Sequence, residues 1–346
     1  MKKVLAAQAL EVDPMDYFDE KKKVFSNIPV FPQISEEEIQ EAIDQSIDPD
    51  AFAGEIARIL DYSKKTNSFV NDTDFIICLV NWHKCPELSQ LLSIMREWAF
   101  RNEGGGVGEN DYDQFDLLDK MEQLIILDTQ ADSIIGTIIG GYRYMVHDAD
   151  SYSTGPMGEY FYFSDQWRSE KWIELGRSFI NPWYQKRHQR LSFDLVLHGL
   201  GFIYANNMDA RGYFGKITLY NVYERQGADR FFLAVGEQYM RQSEDMYVKP
   251  EERIPEGTLT REQMEMLDRD VFKGLFYLLR KDYQINLVPI MAVYNRMTPL
   301  NKMYYFGAFK HYSFGESIEM GIAIAFEDIY EGIIEKFARP YMKIDE

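Results

Sequence analysis

The chain has 346 residues, enough for two domains or for one enlarged domain with an extension. Its 46% hydrophobic and 27% charged residues exclude a disordered chain, and 23 Tyr and 23 Phe supply material for a large core or an apolar ligand channel. With 37 Lys+Arg against 56 Asp+Glu the net charge is −19, which excludes a general nucleic-acid binder, so an anionic partner has to meet a local basic patch.

The opening MKKVLAAQAL has two lysines and a short apolar run. Gln8 breaks that run and Glu11, Asp13 and Asp16 come after it, so it is too short for the apolar part of a signal peptide. Ser35 to Glu38 reads as a capping box, flanked by Ile34 and Ile39 as a hydrophobic staple. Ile39, Ile43 and Ile47 then trace a helix stripe, and a second helix is predicted over Ala51–Tyr62 with Ile56, Ile59 and Leu60 inward. Residues 1–70 therefore read as a helical extension, joined to the main body of the chain by the polar stretch Lys64–Asp74. Phe75–Val80 is a continuous apolar run, the mark of a buried strand. Cys78 and Cys85 cannot make a disulfide framework and read as reduced thiols. Pro86 opens a helix whose inner face is Leu88, Leu91, Leu92, Met95 and Trp98, and Asn102–Lys120 is an acidic loop. Strands are predicted at Leu124–Leu127, Ile134–Met145, Trp172–Ile180, Tyr213–Tyr220, Ile285–Tyr294 and Glu319–Phe326. Helices are predicted at Leu191–Asn206, Arg225–Met240 and Arg261–Lys281. This alternation argues an α/β fold with a mixed central sheet flanked by helices. No stretch reaches the roughly 18 apolar residues of a membrane span, so a cytoplasmic protein is expected, with peripheral contact at a membrane face at most.

Several chemistries are excluded by missing motifs: there is no G-x-S-x-G, no H-E-x-x-H and no G-x-x-x-x-G-K-[ST]. None of the five histidines precedes an aspartate at H-x4-D spacing; His188 and Asp194 miss by one residue. Gly104–Gly108 lacks the Lys-Ser/Thr of a phosphate cradle, and the loop aspartates 111, 113, 116 and 119 lack the Gly and Glu of a calcium loop, so no metal is expected. The informative stretch is WIELGRSFI (Trp172–Ile180), which sets Glu174, Arg177 and Ser178 on an otherwise apolar strand. Burying such groups demands a partner or a ligand; an internal Glu–Arg pair is the plain alternative. Arg177 falls on the face opposite Glu174 unless Gly176 makes a bulge. The loop after it, NPWYQKRHQR, brings Lys186, Arg187 and Arg190 to a helix start, an anion site by charge and dipole.

In this strand–loop–helix context, IELGRSFINPWYQ (Ile173–Gln185) resembles the GNAT acyltransferase superfamily. It is most similar to the branch that holds acyl-homoserine-lactone synthases and the hemolysin-like ornithine- and glycine-lipid N-acyltransferases. Supporting stretches are REWAFRNEGGGVGENDYDQFD (Arg96–Asp116), LIILD and IIGTIIGGYRYM within Leu124–Met145, YFGKITLY (Tyr213–Tyr220), and VPIMAVYNRM with GIAIAFEDIY within Val288–Tyr330. The resemblance covers residues 74–330, leaving 1–70 as the extension and 331–346 as a tail. It implies a GNAT-like fold and transfer of an acyl group, from acyl carrier protein or acyl-CoA, to the amine of an amino acid or related small amine. Two splayed strands would admit the phosphopantetheine thioester. The usual Q/R-x-x-G-x-G/A loop for CoA is missing and RHQR stands in its place, which points toward an acidic carrier protein docking on Lys186, Arg187 and Arg190.

The same resemblance suggests roles. Glu174 is the expected base for the amine, Arg177 its orienting partner, and Leu175–Arg177 backbone N–H groups the oxyanion donors. Ser178 joins the catalytic set, Phe179 and Ile180 flank the thioester arm, and Arg143, Asp113 and Asp116 are expected to hold the acceptor. Tyr220 or Tyr223 would protonate the leaving thiol. Two other readings stay open: a short-chain acetyltransferase using acetyl-CoA, and a non-catalytic GNAT-like binding module.

Overall fold

The computed structural model describes residues 29–66 and 74–342 with Ser26 and Val70, except His188 and the side chains of residues 65–66 and 186–193. The opening run and most of the polar linker lie outside the described residues. The helices are α1 (Glu36–Ser46), α2 (Pro49–Thr66), α3 (Pro86–Asn102), α4 (Pro182–Arg187), α5 (Gln189–Ala205), α6 (Ala228–Tyr239), α7 (Arg261–Leu267), α8 (Val271–Leu278) and α9 (Pro289–Met297), one-turn pieces aside. The strands are β1 (Phe75–Val80), β2 (Met121–Asp128), β3 (Ile138–Val146), β4 (Phe161–Phe163), β5 (Trp172–Ile180), β6 (Gly212–Leu219), β7 (Arg241–Gln242), β8 (Met246–Val248), β9 (Tyr304–His311) and β10 (Ser317–Ala325).

Eight strands form one sheet in the order β1-β2-β3-β5-β6-β10-β9-β7, and β4 and β8 form a separate ribbon. Neighbours are antiparallel except β5 with β6 and β7 with β9. Both faces are covered, which is why the strands read as unbroken apolar runs. In β2, Leu124 and Ile126 point to the core with α5, α6, α8 and α9, while Ile125 and Leu127 point to the core with α1 and α3. The predicted capping box forms: Glu38 N–H donates to Ser35 Oγ, and Ser35 N–H to Glu38 Oε2. Ile39, Ile43, Ile47 and Phe52 are buried in one cluster with Leu88, Leu92 and Trp98 of α3, so the described part of the helical extension shares its core with the sheet.

Four expectations are corrected. Ile285–Tyr294 is not a strand: Pro289 occupies the first turn of α9, which buries Met291, Val293, Tyr294 and Met297. A short apolar run has no decisive period, and the proline's fixed φ suits a helix start better than a central strand. The strand beside β10 is instead β9, which was not foreseen. Arg225–Met240 breaks at Gly227, whose φ of +68° lies in the left-handed region. Arg261–Lys281 breaks where Asp270 caps α8 by accepting from Lys273 N–H. Among the described residues no helix is long and apolar enough to cross a membrane.

Candidate active site

The site starts where β5 leaves β6. The two pair in parallel only from Trp172–Gly212 to Leu175–Gly215. At that last pair Gly215 lets the backbones close: a Cβ there would sit 2.4 Å from the Leu175 carbonyl oxygen. Beyond it the strands part, and the edges Gly176–Ile180 and Lys216–Leu219 have no partner in each other. A cleft of about 220 Å³ opens between them. Gly176 to Ile180 line one wall, and Lys216, Thr218 and Tyr220 the other. The cleft passes through the sheet. On one face it meets Phe100, Phe314 and Glu319; on the other it meets the apolar side chains Val196, Ile290 and Val293.

A bulge makes the first wall. Arg143 lies opposite Gly176 and Gly141 opposite Phe179, so two residues of β5, Arg177 and Ser178, face one residue of β3. Arg177 has a φ of +50°, a conformation that costs a non-glycine residue about 1–2 kcal/mol. Its guanidinium is anchored. Nη2 donates to Asp113 Oδ2 at 3.2 Å, Nε lies 3.1 Å from Asp111 Oδ2, and the group stands 4.9 Å from the centre of the Phe314 ring.

Behind Arg177 is a buried ion cluster. Arg96 of α3 donates from Nε to Asp111 at 2.8 Å and from both Nη atoms to Asp116 at 2.9 and 3.1 Å. Arg143 donates to Asp113 at 2.6 Å and lies 3.2 Å from Asp116, and Gln123 Nε2 donates to Asp116 at 2.8 Å. Three arginines thus meet three aspartates, with no net charge left over. Burial pushes the Asp111 and Asp116 carboxyls up, but the arginines outweigh it and hold both below the ordinary carboxylate range.

The expected residues divide into two groups. Arg177, Ser178, Phe179, Ile180 and Tyr220 line the cleft. Glu174, Arg143, Asp113 and Asp116 do not. Glu174 lies on the sheet face opposite Leu175, where β5 is still paired with β6 and short of the cleft lining. There its Oε1 accepts from Met157 N–H and its Oε2 lies 2.9 Å from His147 Nε2. Both oxygens are taken, and Arg177 is the partner of aspartates rather than of Glu174. Arg143 is likewise satisfied inside the cluster. Tyr223 donates its hydroxyl to the Asn286 carbonyl and stands outside the cleft. Tyr220 is in it, and burial drives its phenol far up, so it stays a proton donor. The side chains of Lys186, Arg187 and Arg190 lie outside those described.

Four residues were missed: Arg96, Asp111, Lys216 and Glu319. All but Asp111 carried a signal. Ser89, Ser93 and Arg96 make a polar stripe at helix spacing along a helix that is buried there. Lys216 in GYFGKITL and Glu319 in SIEMGIAIA are single charges on apolar strands, the same feature that singled out Glu174. Glu319 is buried, with its Oε1 accepting from Thr218 Oγ1 at 3.0 Å and Ser317 Oγ at 3.3 Å. Among the described residues no group of three or more His, Cys, Asp or Glu is arranged to hold a metal.

Residues 95–192 match the family model described as an acetyltransferase (GNAT) domain. The chain is 29% identical over 278 residues to a glycine N(alpha)-acyltransferase of Bacteroides thetaiotaomicron, covering 75% of this chain and 80% of that one. It is 27% identical over 280 residues to a glycine N(alpha)-acyltransferase of Phocaeicola vulgatus, covering 76% and 83%. Among solved structures it is similar to FeeM, an N-acyl amino acid synthase from uncultured soil microbes, with 7% identity, 73% and 93% coverage and a TM-score of 0.36. It is also similar to BjaI, a CoA-dependent acyl-homoserine lactone synthase, with 11% identity, 78% and 91% coverage and a TM-score of 0.35. The family resemblance read from Ile173–Gln185 and its surroundings holds in the family model and in both sequence relatives.

Proposed function

We propose that this chain, a GNAT-type acyltransferase, joins a long acyl group from a phosphopantetheine thioester to the amine of glycine or a similar small amino acid, as a step in amino-acid lipid synthesis. The carrying observation is the parting of β5 and β6 after Leu175 and Gly215. A pantetheine arm brings two amides that need partners, and an unpaired strand edge offers backbone N–H and C=O groups in register for them. Phe179 and Ile180 would flank that arm, and freed N–H groups near Gly176 would face the thioester oxygen as its charge develops. The apolar end at Val196, Ile290 and Val293 suits a fatty chain, since each buried CH₂ contributes about 0.8 kcal/mol.

The amine attacks the thioester carbonyl carbon, the C–S bond breaks and the thiol leaves with a proton. Tyr220, protonated and in the cleft, is the proposed donor to that sulfur, and Ser178 a hydrogen-bonding partner beside it. Arg177 and the Asp113, Asp116 and Arg143 behind it would hold the bulge that shapes the wall. Glu174 takes a positioning role, fixing the Met157 loop and His147 against β5. The proposed donor is acyl carrier protein, an acidic partner that a −19 chain can meet only through a local patch such as Lys186, Arg187 and Arg190.

The test is to incubate the protein with a long-chain acyl carrier protein or the matching acyl-CoA, supply glycine, and detect the amide by mass spectrometry. Amide formation with the carrier-bound donor is expected. A triple charge reversal, Lys186→Glu, Arg187→Glu and Arg190→Glu, should raise KM for the carrier-bound donor ~10-fold or more and leave KM for acyl-CoA within ~3-fold. No amide from either donor would sink the reading.

A further inference from the structure

The far wall of the cleft carries a lysine and a glutamate side by side. Lys216 of β6 lies opposite Gly321 of β10, and Thr218 lies opposite Glu319. Lys216 and Glu319 are therefore diagonal neighbours on one sheet face, within reach of each other's side chains. Both line the cleft. Glu319 spends one oxygen on the hydroxyls of Thr218 and Ser317, while its Oε2 has no hydrogen bond among the described residues. Lys216 makes no hydrogen bond or ion pair among the described residues. Its ammonium stands 5.6 Å from the Tyr160 ring centre and 5.4 Å from that of Phe309. These rings steady the cation without neutralising it.

The other cations at the site are spoken for. Arg143 and Arg177 are bound by Asp113, Asp111 and Asp116, and the cluster is neutral. A carboxylate arriving in the cleft would have to displace an aspartate to reach either of them, but it can reach Lys216 directly. An amino acid is a zwitterion, with its carboxylate and ammonium separated by one carbon in the α-series. The wall presents a matching cation and anion side by side.

We infer that Lys216 and Glu319 form the acceptor site, Lys216 binding the α-carboxylate of the incoming amino acid and Glu319 receiving its ammonium and taking the proton that must leave before attack. This rests on the N-acyl-transfer reading above and specifies its acceptor. The step balances: R-NH₃⁺ gives one proton to Glu319, and the nitrogen lone pair forms the C–N bond. Glu319 passes that first proton to water. The C–S bond then breaks with its electron pair on sulfur, and Tyr220 gives sulfur its proton. The second proton leaving nitrogen goes to the freed Glu319 carboxylate and on to the Tyr220 phenolate, so that one proton in total is released. Acid, ester or amide analogues of the acceptor differ only at the group facing Lys216, which makes the assignment specific.

The experiment measures amide formation with glycine, glycinamide and ethylamine as acceptors and one saturating acyl donor. The wild type should prefer glycine over glycinamide at least ~10-fold in kcat/KM, the usual worth of one charge-assisted contact. Lys216→Met should raise KM for glycine at least ~10-fold, leave KM for the acyl donor within ~3-fold, and bring glycine and glycinamide close to parity. Lys216→Arg should restore part of the preference. Glu319→Gln, nearly isosteric, should lower kcat at least ~100-fold with all three amines. A wild type that uses glycinamide as well as glycine would overturn the carboxylate assignment without any variant. A Lys216→Met effect confined to the acyl donor would overturn it too, by assigning the lysine to the thioester. An unaltered kcat in Glu319→Gln would overturn the proton assignment. If the wild type makes amide from no amine at all, the function reading itself falls, which the wild-type control separates from failure of the pair.

Discussion

Arg96 is 1% exposed, and its neighbours Asp111 and Asp116 are buried as deeply, so this ion pair cannot be treated like one on the surface. A buried guanidinium and two carboxylates stay charged only because each supplies the other's hydrogen bonds. Arg96→Ala would leave two aspartates facing each other without that partner. We expect it to destabilise the protein by about 3–5 kcal/mol, read as a shift of the urea midpoint. A loss below about 1 kcal/mol would mean that water reaches the cluster. The consequence extends to the site, because Asp111 also holds Arg177 in its left-handed conformation. Arg177 was legible in the sequence as a charge on an apolar strand. Its partners were not, since Asp111 and Asp113 lie in a loop more than sixty residues away, where acidic residues usually face water.

At the scale of elements, the β5–β6 junction is decided by two glycines with opposite demands. Gly215 has the Leu175 carbonyl 2.4 Å from where a Cβ would stand, whereas Gly176 has nothing within 4 Å. Gly215→Ala must push β6 away from β5 at their last shared pair. It should cost about 1–3 kcal/mol, as overpacking does, and alter the cleft mouth enough to raise KM for the acyl donor. Gly176→Ala, one residue past the junction, should stay within about 0.5 kcal/mol of wild type by thermal denaturation. Equal losses in the two variants would show that the parting of the strands does not begin where the pairing ends. The bulge in β5 was foreseen as the only way for Arg177 and Glu174 to share a wall. It forms, yet it turns Arg177 toward the aspartate loop and leaves Glu174 with His147, where β5 is still paired with β6.

Over the whole molecule, acid sensitivity should begin above the range of the carboxylates. Burial holds the His198 imidazole down at about 4, with Asp194 opposing and Lys336 assisting, and the ring lies 3.0 Å from the Tyr341 hydroxyl at Nδ1. Between its unfolded value near 6.5 and about 4, the unfolded chain binds a proton that the folded chain refuses. Stability is therefore full above that window and falls as pH drops through it, by about 1.4 kcal/mol per pH unit for one proton at most. His311, also held at about 4 by burial, adds in the same direction. Urea denaturation at pH 7, 6, 5 and 4.5 should show the decline, and His198→Gln should make it shallower. A flat profile would mean that the imidazole can pick up its proton without unfolding. The −19 charge works in the same pH range: protonating carboxylates relieves self-repulsion, so the histidine contribution is read from the difference between wild type and His198→Gln.

Local physics was enough to specify much of this protein from its sequence. Phe75–Val80 and Trp172–Ile180 are strands as read: the first is six consecutive apolar residues, and the second is an otherwise apolar run that carries Glu174, Arg177 and Ser178. The cap at Ser35 and the start at Pro86 come from single-residue chemistry. The family signal in Ile173–Gln185 survives because it marks the bulge and the parting of β5, where backbone shape constrains residue type. Tertiary structure decided what depends on distance through space. It decided that Pro289–Met297 is a helix against the cleft, that His147 and Met157 take up both oxygens of Glu174, and that Lys216 and Glu319 meet on its far wall although 103 positions separate them in the chain. A charge on an apolar strand announces that it needs company; only the pairing of strands says whether that company is another residue or an open space.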